Sequence, residues 1–167
     1  MAASHVISVC RADYTNAVHA TALVNLLDAY AQDPMGGGDP LSDFAKAHLV
    51  DELAKRPQAF SVLAFGGEAG DQPVGLVNCI EGFSTFACKP LVNVHDVTVL
   101  AAYRGQRVAE KMLDLVEQIA LERGACKLTL EVLQGNEGAI RLYHRFGFTH
   151  YELDPSAGRA QFFQKWL

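Results

Sequence analysis

The sequence lacks the features that mark several large classes of protein. Its 14 lysines and arginines are outnumbered by 19 aspartates and glutamates, so a net charge of −5 leaves no basic excess for non-specific nucleic-acid binding. No stretch reaches the roughly 18 apolar residues that a membrane-spanning helix needs. No basic segment followed by an apolar run opens the chain, so we expect no signal peptide. We therefore predict a cytoplasmic protein that binds neither nucleic acid nor membrane.

Cysteine is scarce and unpatterned. The four cysteines form no Cys-x-x-Cys pair, and no spacing of cysteine with histidine is typical of a zinc site. Several of them lie in apolar runs, where a free thiol behaves as a small hydrophobic side chain. We therefore expect free thiols, no disulfides and no bound metal.

What the sequence does contain is an ordinary globular balance, with 50% hydrophobic and 20% charged residues among 167. That length suits a single domain over residues 1–167. Hydrophobic periodicity and turn residues predict the order β-α-α-β-β-β-α-β-α-β-β. The predicted strands are 5–10, 59–65, 74–80, 91–100, 126–133, 148–153 and 160–167, and the helices open at Asp13, Pro40, Val108 and Asn136. Because a strand–helix–strand unit makes parallel neighbours, the pattern predicts an α/β fold with a mixed sheet and helices on both faces.

The turn "YRGQRVA" (Tyr103–Ala109) joins an apolar strand to an amphipathic helix. A helix N-terminus carries unsatisfied N–H groups and partial positive charge, so it receives phosphate well. Gly105 allows close approach to the backbone, and Arg104 and Arg107 add positive charge. The turn predicts a phosphate-bearing ligand; a plain strand–turn–helix with solvated arginines is the alternative.

Two blocks resemble the GNAT superfamily of acetyl-CoA-dependent N-acetyltransferases. They are "VHDVTVLAAYRGQRVAEKML" and "NEGAIRLYHRFGF", with the strand "KLTLEV" between them. The second block matches the family's Asn-x-x-Ala-x-x-Leu-Tyr-x-x-x-Gly-Phe pattern at Asn136, Ala139, Leu142, Tyr143, Gly147 and Phe148. The first block departs at Arg107, which stands where the family has glycine, whereas Ala109 is an allowed final residue. The close resemblance covers residues 91–148.

The resemblance implies a mostly antiparallel sheet whose one parallel strand pair splays apart to form a cofactor cleft. It implies acetyl-CoA as co-substrate, with the pantetheine paired to the backbone of one splayed strand. A backbone N–H near Val97 would polarise the thioester carbonyl. The cofactor-binding residues implied are Val97, Thr98, Val99, Arg104, Gly105, Gln106, Arg107, Val108, Ala109, Asn136 and Tyr143.

The resemblance also implies direct attack by an amine, with an acid for the departing thiolate and a base for the amine. Tyr143 matches the family's thiolate-protonating tyrosine. His95, Asp96 and Glu131 are the candidates for the base. Alternation along the strand predicts that His95 and Asp96 face opposite sides of it.

The acceptor is predicted as a small-molecule amine. The stretch "FSTFACKPLVNVHDVTV" resembles the diamine and spermidine N-acetyltransferase branch, although His95 stands where that branch has a second acid. Phe83 and Phe86 are candidate walls of the acceptor pocket. A non-catalytic acyl-CoA sensor is the alternative function, since Arg107 alters the turn. By analogy with the family, the aromatic C-terminus ("QFFQKW") is a candidate homodimer contact.

Overall fold

The structure is a computed structural model that describes residues 6–167. Its strands are β1 (Ser8–Arg11), β2 (Ala59–Gly66), β3 (Gln72–Ser84), β4 (Lys89–Val99) and β5 (Leu128–Leu130). Its α-helices are α1 (Ala17–Gln32), α2 (Asp43–Ala54), α3 (Val108–Glu122) and α4 (Glu137–Phe146). Short 3-10 turns occur at Ala101–Tyr103 and Pro155–Ala157. None of the helices in this part of the chain is long and apolar enough to cross a membrane.

The described chain divides into two compact units, with the boundary between Leu133 and Gln134. The first unit holds a five-stranded sheet in the order β1-β2-β3-β4-β5. Neighbouring strands from β1 to β4 pair antiparallel, whereas β5 pairs parallel with β4. This arrangement confirms the predicted mixed, mostly antiparallel sheet with one parallel pair.

Helices cover both faces of this sheet. On one face, Leu23 of α1 belongs to a buried cluster with Leu63 and Leu76 of neighbouring strands. On the other face, a Cβ placed at Gly75 would lie only 2.8 Å from Cε of Met112 in α3. Successive strand residues point to opposite faces, so Gly75 and Leu76 assign α3 and α1 to opposite sides. The predicted helices on both faces are confirmed.

The second unit, residues 134–167, is built around α4. The Asn136 side chain caps this helix by accepting a hydrogen bond from the Ala139 N–H, and Gly147 ends it at φ 104°. Tyr143 is buried, and its ring meets Phe148 edge-on with centroids 5.8 Å apart. The cap and the terminating glycine are where the sequence predicts them.

Several predicted boundaries are wrong. No strand occurs within residues 131–167 as described, so the predicted strands at 148–153 and 160–167 are absent. Their apolar side chains are largely exposed, as Leu153, Phe162 and Phe163 show at 79%, 79% and 81%. Apolar and aromatic composition alone supplies no strand partner, and unpaired strands are not stable. The predicted fifth strand, 126–133, shortens to Leu128–Leu130.

The helix starts also differ from the predicted ones. Asn16 caps α1, because the carboxylate of Asp13 is engaged by the N–H and the hydroxyl of Thr15. Ser42 caps α2, two residues after Pro40. The predicted first strand moves to Ser8–Arg11, and its first predicted residue, His5, lies outside the described residues.

Candidate functional site

Strand β4 continues beyond its parallel pairing with β5. The parallel register covers residues 92–94 opposite Leu128–Leu130, while β4 runs on to Val99. Within residues 6–167, no strand pairs with this edge of residues 95–99. An unpaired strand edge offers N–H and C=O groups to any extended chain that lies along it. The gap predicted between the two parallel strands is therefore present.

Alternate residues of β4 direct their main-chain groups to this open edge. The Leu100 N–H donates to the Val74 carbonyl at 2.9 Å, so Leu100 is hydrogen-bonded to β3. Hydrogen-bonded and non-hydrogen-bonded residue pairs alternate along an antiparallel ladder. Thr98, two residues before Leu100, therefore also directs its main-chain groups to β3. Val97 and Val99 face the open edge. The register thus directs the main-chain groups of Thr98 away from the open edge, and its predicted cofactor-binding role stays a prediction.

The turn after β4 leaves a run of amides without internal acceptors. The Arg104 N–H donates to the Ala101 carbonyl at 3.3 Å, and the Lys111 N–H donates to the Arg107 carbonyl at 3.1 Å. Between them, the N–H groups of residues 105–109 have no main-chain acceptor among the described residues. Such adjacent amides at a helix start form an anion-binding surface.

The amides at the start of α3 also lack a side-chain cap, unlike those of the other helices. The caps of the other α-helices are the side chains of Asn16, Ser42 and Asn136. The N-cap of α3 is Arg107, which makes no side-chain cap hydrogen bond. A guanidinium has donors only, so this residue has nothing with which to accept from an amide. An anion from outside the chain is the natural partner for these groups.

Arg107 occupies a backbone conformation that favours glycine. Its φ and ψ are 61° and 23°, in the left-handed region, as is Gly105 with φ 77°. The Arg107 Nε donates to Oε2 of Glu110 at 2.7 Å, and the side chain is 80% exposed. An L-residue in the left-handed region costs about 1–2 kcal/mol, so this backbone position favours glycine. Arg107 adopts this conformation at that cost.

We predict that Arg107→Gly stabilises the protein by up to about 1 kcal/mol and changes acetyl-CoA affinity less than tenfold. The left-handed strain is relieved, partly offset by the extra chain entropy of glycine. The matched control is Arg107→Ala, which removes the charge but keeps a Cβ in the strained conformation. Urea unfolding gives the stability, and calorimetric titration gives the affinity. A hundredfold loss of affinity in both variants would show that the guanidinium itself anchors the ligand.

Arg104 is engaged by the protein instead of lying free at the turn. Its Nε donates to the Val99 carbonyl at 3.1 Å, and its Nη2 lies 3.4 Å from Oδ2 of Asp33. The side chain thus ties the end of α1 to the end of β4. It also occupies one of the main-chain groups at the open edge, which leaves the Val97 N–H and C=O and the Val99 N–H there.

A row of polar side chains crosses the sheet on the α1 face. The Tyr14 hydroxyl lies 2.9 Å from Oγ of Ser61, which donates to Oδ1 of Asn78 at 2.6 Å. The Asn78 Nδ2 donates to Oδ2 of Asp96 at 3.0 Å. Ser61, Asn78 and Asp96 are cross-strand partners on β2, β3 and β4. The row ends at one of the three predicted bases.

A bulge in β4 brings a second predicted base to the same face. Asn78 lies opposite Asp96, but the next residue, Cys79, lies opposite Val94, so His95 is the extra residue. The His95 Nδ1 lies 3.3 Å from Oδ1 of Asn93, which shares the face of Asp96. The prediction that His95 and Asp96 face opposite sides is therefore wrong, because the bulge interrupts the alternation.

Asn93 connects His95 to the third predicted base. Its Nδ2 lies 3.2 Å from Oγ1 of Thr129 and 3.2 Å from Oε2 of Glu131, so the amide donates toward β5. Its Oδ1 then accepts from His95, which assigns the proton to Nδ1 and leaves the Nε2 lone pair of the neutral ring available. His95, Asp96 and Glu131 thus lie on one face, beside the open edge.

The remaining predicted residues are not all brought together. Phe83 and Phe86 are 59% and 98% exposed at the β3–β4 hairpin. Phe83 lies five residues along β3 from the partner of Asp96, roughly 16 Å at the strand rise. Asn136 and Tyr143 belong to the second unit, where the Asn136 side chain caps α4. Their predicted roles stay predictions.

A cavity of about 700 Å³ lies elsewhere on the first unit, between α1 and the start of β3. It is lined by Ala17, Val18, Thr21, Ala22, Asn25, Leu26, Asp71, Gln72, Pro73 and Leu100. None of the predicted site residues lines it.

Ser61, Asn78 and Asn93 are the site residues that sequence reasoning missed. Ser61 and Asn78 are single polar residues inside the apolar runs "AFSVLAF" and "VGLVNCI". A lone polar residue in a strand buried on both faces needs a hydrogen-bond partner, and that requirement is the signal that was available.

An acetyltransferase fold accounts for three features together. They are the separation of β4 from β5, the uncapped amides at the start of α3 and the polar face beside them. The chain matches the acetyltransferase (GNAT) family over residues 21–148 and belongs to that family.

Relatives support the fold and cover part of the chain. Thialysine N-epsilon-acetyltransferase of Mus musculus is 36% identical over 56 residues, 34% of this chain and 33% of that protein. Streptothricin acetyltransferase of Streptomyces lavendulae is 31% identical over 86 residues, 50% of this chain and 46% of that protein. The matches thus span a third to about half of these curated relatives. An aminoglycoside N-acetyltransferase in complex with CoA superimposes with a TM-score of 0.75 at 15% identity, over 99% of this chain and 98% of that one.

Proposed function

We propose that the protein transfers an acetyl group from acetyl-CoA to a primary amine of a small molecule. The amine attacks the thioester directly, within a ternary complex. The observation that carries this proposal is the run of amides at residues 105–109, which have neither a main-chain acceptor nor a side-chain cap and follow the open edge of β4. The names of the relatives support amine acetylation, since they include a thialysine N-epsilon-acetyltransferase and an aminoglycoside N-acetyltransferase.

The residues present fit acetyl-CoA as co-substrate. A diphosphate suits the amides of residues 105–109, and the amide-containing pantetheine arm suits the groups of Val97 and Val99 on the open edge. The Val97 N–H is the donor we assign to the thioester oxygen, where negative charge develops during attack. Arg107 points to Glu110 and contributes its main-chain N–H.

The polar side chains beside the open edge are the groups that we assign to binding and deprotonating the acceptor amine. A free alkylamine is mostly protonated at neutral pH, since such groups titrate near ~10. We assign Asp96 to the ammonium group, because its carboxylate is held in place by Asn78. His95 or Glu131 then receives the proton, directly or through water, and imidazole is the side chain suited to that exchange near neutrality. Tyr143 is the proposed acid for the departing thiolate.

The test is release of free CoA thiol during incubation with acetyl-CoA and a panel of amines. The panel holds an amino acid with a side-chain amine, a diamine, an aminoglycoside and a peptide N-terminus. Cys88 and Cys126 are exposed free thiols that react with the same reagents, so the assay uses a Cys88→Ser/Cys126→Ser background. We expect amine-dependent thiol release with at least one acceptor. No turnover with any amine, despite micromolar binding of acetyl-CoA, would instead support a non-catalytic acyl-CoA sensor, the alternative that the altered turn at Arg107 favours.

We also propose a cytoplasmic location and a homodimer. The homodimer proposal rests on the exposed aromatic side chains of Phe162, Phe163 and Trp166 near the C-terminus. Large apolar side chains exposed together often mark interaction surfaces in soluble proteins.

A further inference from the structure

We infer that Tyr14, Ser61 and Asn78 are positioning residues that hold the Asp96 carboxylate for the ammonium group of the acceptor. This inference rests on the proposed acetyl transfer and identifies how the chain orients the amine. The geometry behind it is the hydrogen-bonded row from Tyr14, in the loop between β1 and α1, across β2, β3 and β4. The three residues act through Asp96 and make no contact with the acceptor themselves.

The direction of every hydrogen bond in the row is fixed. A serine hydroxyl has one proton, and that of Ser61 is donated to Oδ1 of Asn78. Ser61 Oγ must therefore accept from the Tyr14 hydroxyl. Burial raises the pKa of Tyr14, so this donor stays protonated. All the donors point toward Asp96, and hydrogen bonds aligned in this way polarise one another.

Ser61 and Asn78 of the row lie at buried positions of the sheet that apolar residues usually occupy. Ser61 and Asn78 are 1% and 6% exposed, and Leu63 and Leu76 occupy the next positions on the same face. Polar groups buried at such positions contribute less to stability than apolar side chains of similar size, unless they are fully paired. We attribute the presence of Ser61 and Asn78 to their link to Asp96. Alanine and leucine at these two positions would stabilise the fold equally well.

The carboxylate at the end of the row has capacity left for a cation. Within the described residues, Asp96 accepts the one hydrogen bond from Asn78 on Oδ2. A carboxylate has about four acceptor sites, and an ammonium group brings three donors. Tyr30 of α1 lies near enough that burial and the charges of Asp96 and Asp33 raise its pKa. A protonated phenol thus lies near Asp96, and its oxygen can accept a hydrogen bond from a cationic amine.

The test replaces the row by apolar side chains in the Ser61→Ala/Asn78→Leu variant. Removing both fully buried partners together leaves only the half-buried Tyr14 hydroxyl and Asp96 carboxylate without them. Water can reach both groups, so we expect a melting temperature within a few degrees of the parent. We expect kcat/KM for the amine to fall tenfold or more because Asp96 loses its fixed position, with the KM for acetyl-CoA unchanged. Asp96→Ala should then lower kcat/KM for the amine by a smaller factor in this variant than in the parent. We expect the factor to be less than half as large.

The matched control is Val77→Thr, which places a hydroxyl at a fully buried position of β3 on the opposite face. It should lower the melting temperature and leave the kcat/KM of the folded protein unchanged. A row that only stabilises the sheet would give the reverse result: a lower melting temperature and unchanged amine kinetics in the double variant. Equal costs of Asp96→Ala in both backgrounds would also overturn the inference. Absence of turnover in the parent protein with every amine would instead refute the proposed function.

Discussion

Tyr143→Phe is expected to lower kcat about a hundredfold while leaving acetyl-CoA affinity within threefold of the parent. General acid catalysis typically contributes 10²–10⁴-fold, and phenylalanine keeps the ring while removing the only proton the side chain can donate. Tyr143 is buried against the edge of Phe148, so the ring itself should stay in place. Steady-state kinetics with the best acceptor give kcat, and calorimetric titration gives the affinity.

Thioesters with better leaving groups provide the control for this variant. If Tyr143 protonates the thiolate, an acyl donor whose thiol is more acidic should recover much of the lost rate. Tyr151→Phe is the matched substitution, since this tyrosine belongs to the same unit and is 62% exposed. A Tyr143→Phe enzyme that retains more than a third of the parent's kcat would remove the tyrosine from the mechanism.

Asp96→Asn is expected to lower kcat/KM for the amine about a hundredfold, mainly through a higher KM for the amine. The substitution keeps the shape and the hydrogen bond from Asn78 but removes the charge that attracts an ammonium group. The KM for acetyl-CoA should not change, because its proposed contacts are main-chain groups. Initial rates over a matrix of both substrate concentrations separate the two effects.

His95→Gln and Glu131→Gln are the comparison variants for this experiment. Both residues lie on the same face and are linked to Asn93, so each substitution perturbs the region without touching the row that ends on Asp96. We expect either of them to act on kcat more than on the KM for the amine. A KM effect of His95→Gln larger than that of Asp96→Asn would transfer the ammonium-binding role to the histidine.

The fold was predictable because its signals are local. The apolar run before the turn, the turn glycine and the amphipathic residues after it mark β4 and α3 within one short stretch of sequence. The capping asparagine and the terminating glycine of α4 are equally local. The prediction of the two closing strands was wrong because strand formation depends on a distant partner. The aromatic residues near the C-terminus do not show which segment that partner would be.

The details of the site depend on register, which the sequence does not display. One inserted residue at His95 decides which face His95 and Asp96 share. The same alternation decides that Val97 and Val99, and not Thr98, face the open edge. The left-handed conformation of Arg107 was also hidden, because that region is favoured by glycine and an arginine gives no local sign of it.

The uncapped turn and the open strand edge affect which amino-acid substitutions this protein can accept during evolution. Their donors and acceptors belong to the peptide bond, which every residue except proline supplies in the same form. A substitution can therefore alter nearly any side chain around these groups without erasing them. The chain shares its fold with an enzyme that is 15% identical to it, so most side chains differ between the two. A surface of main-chain groups also predicts that surveys of tolerated variants will find proline, and not loss of charge, to be the substitution that residues 106–109 reject.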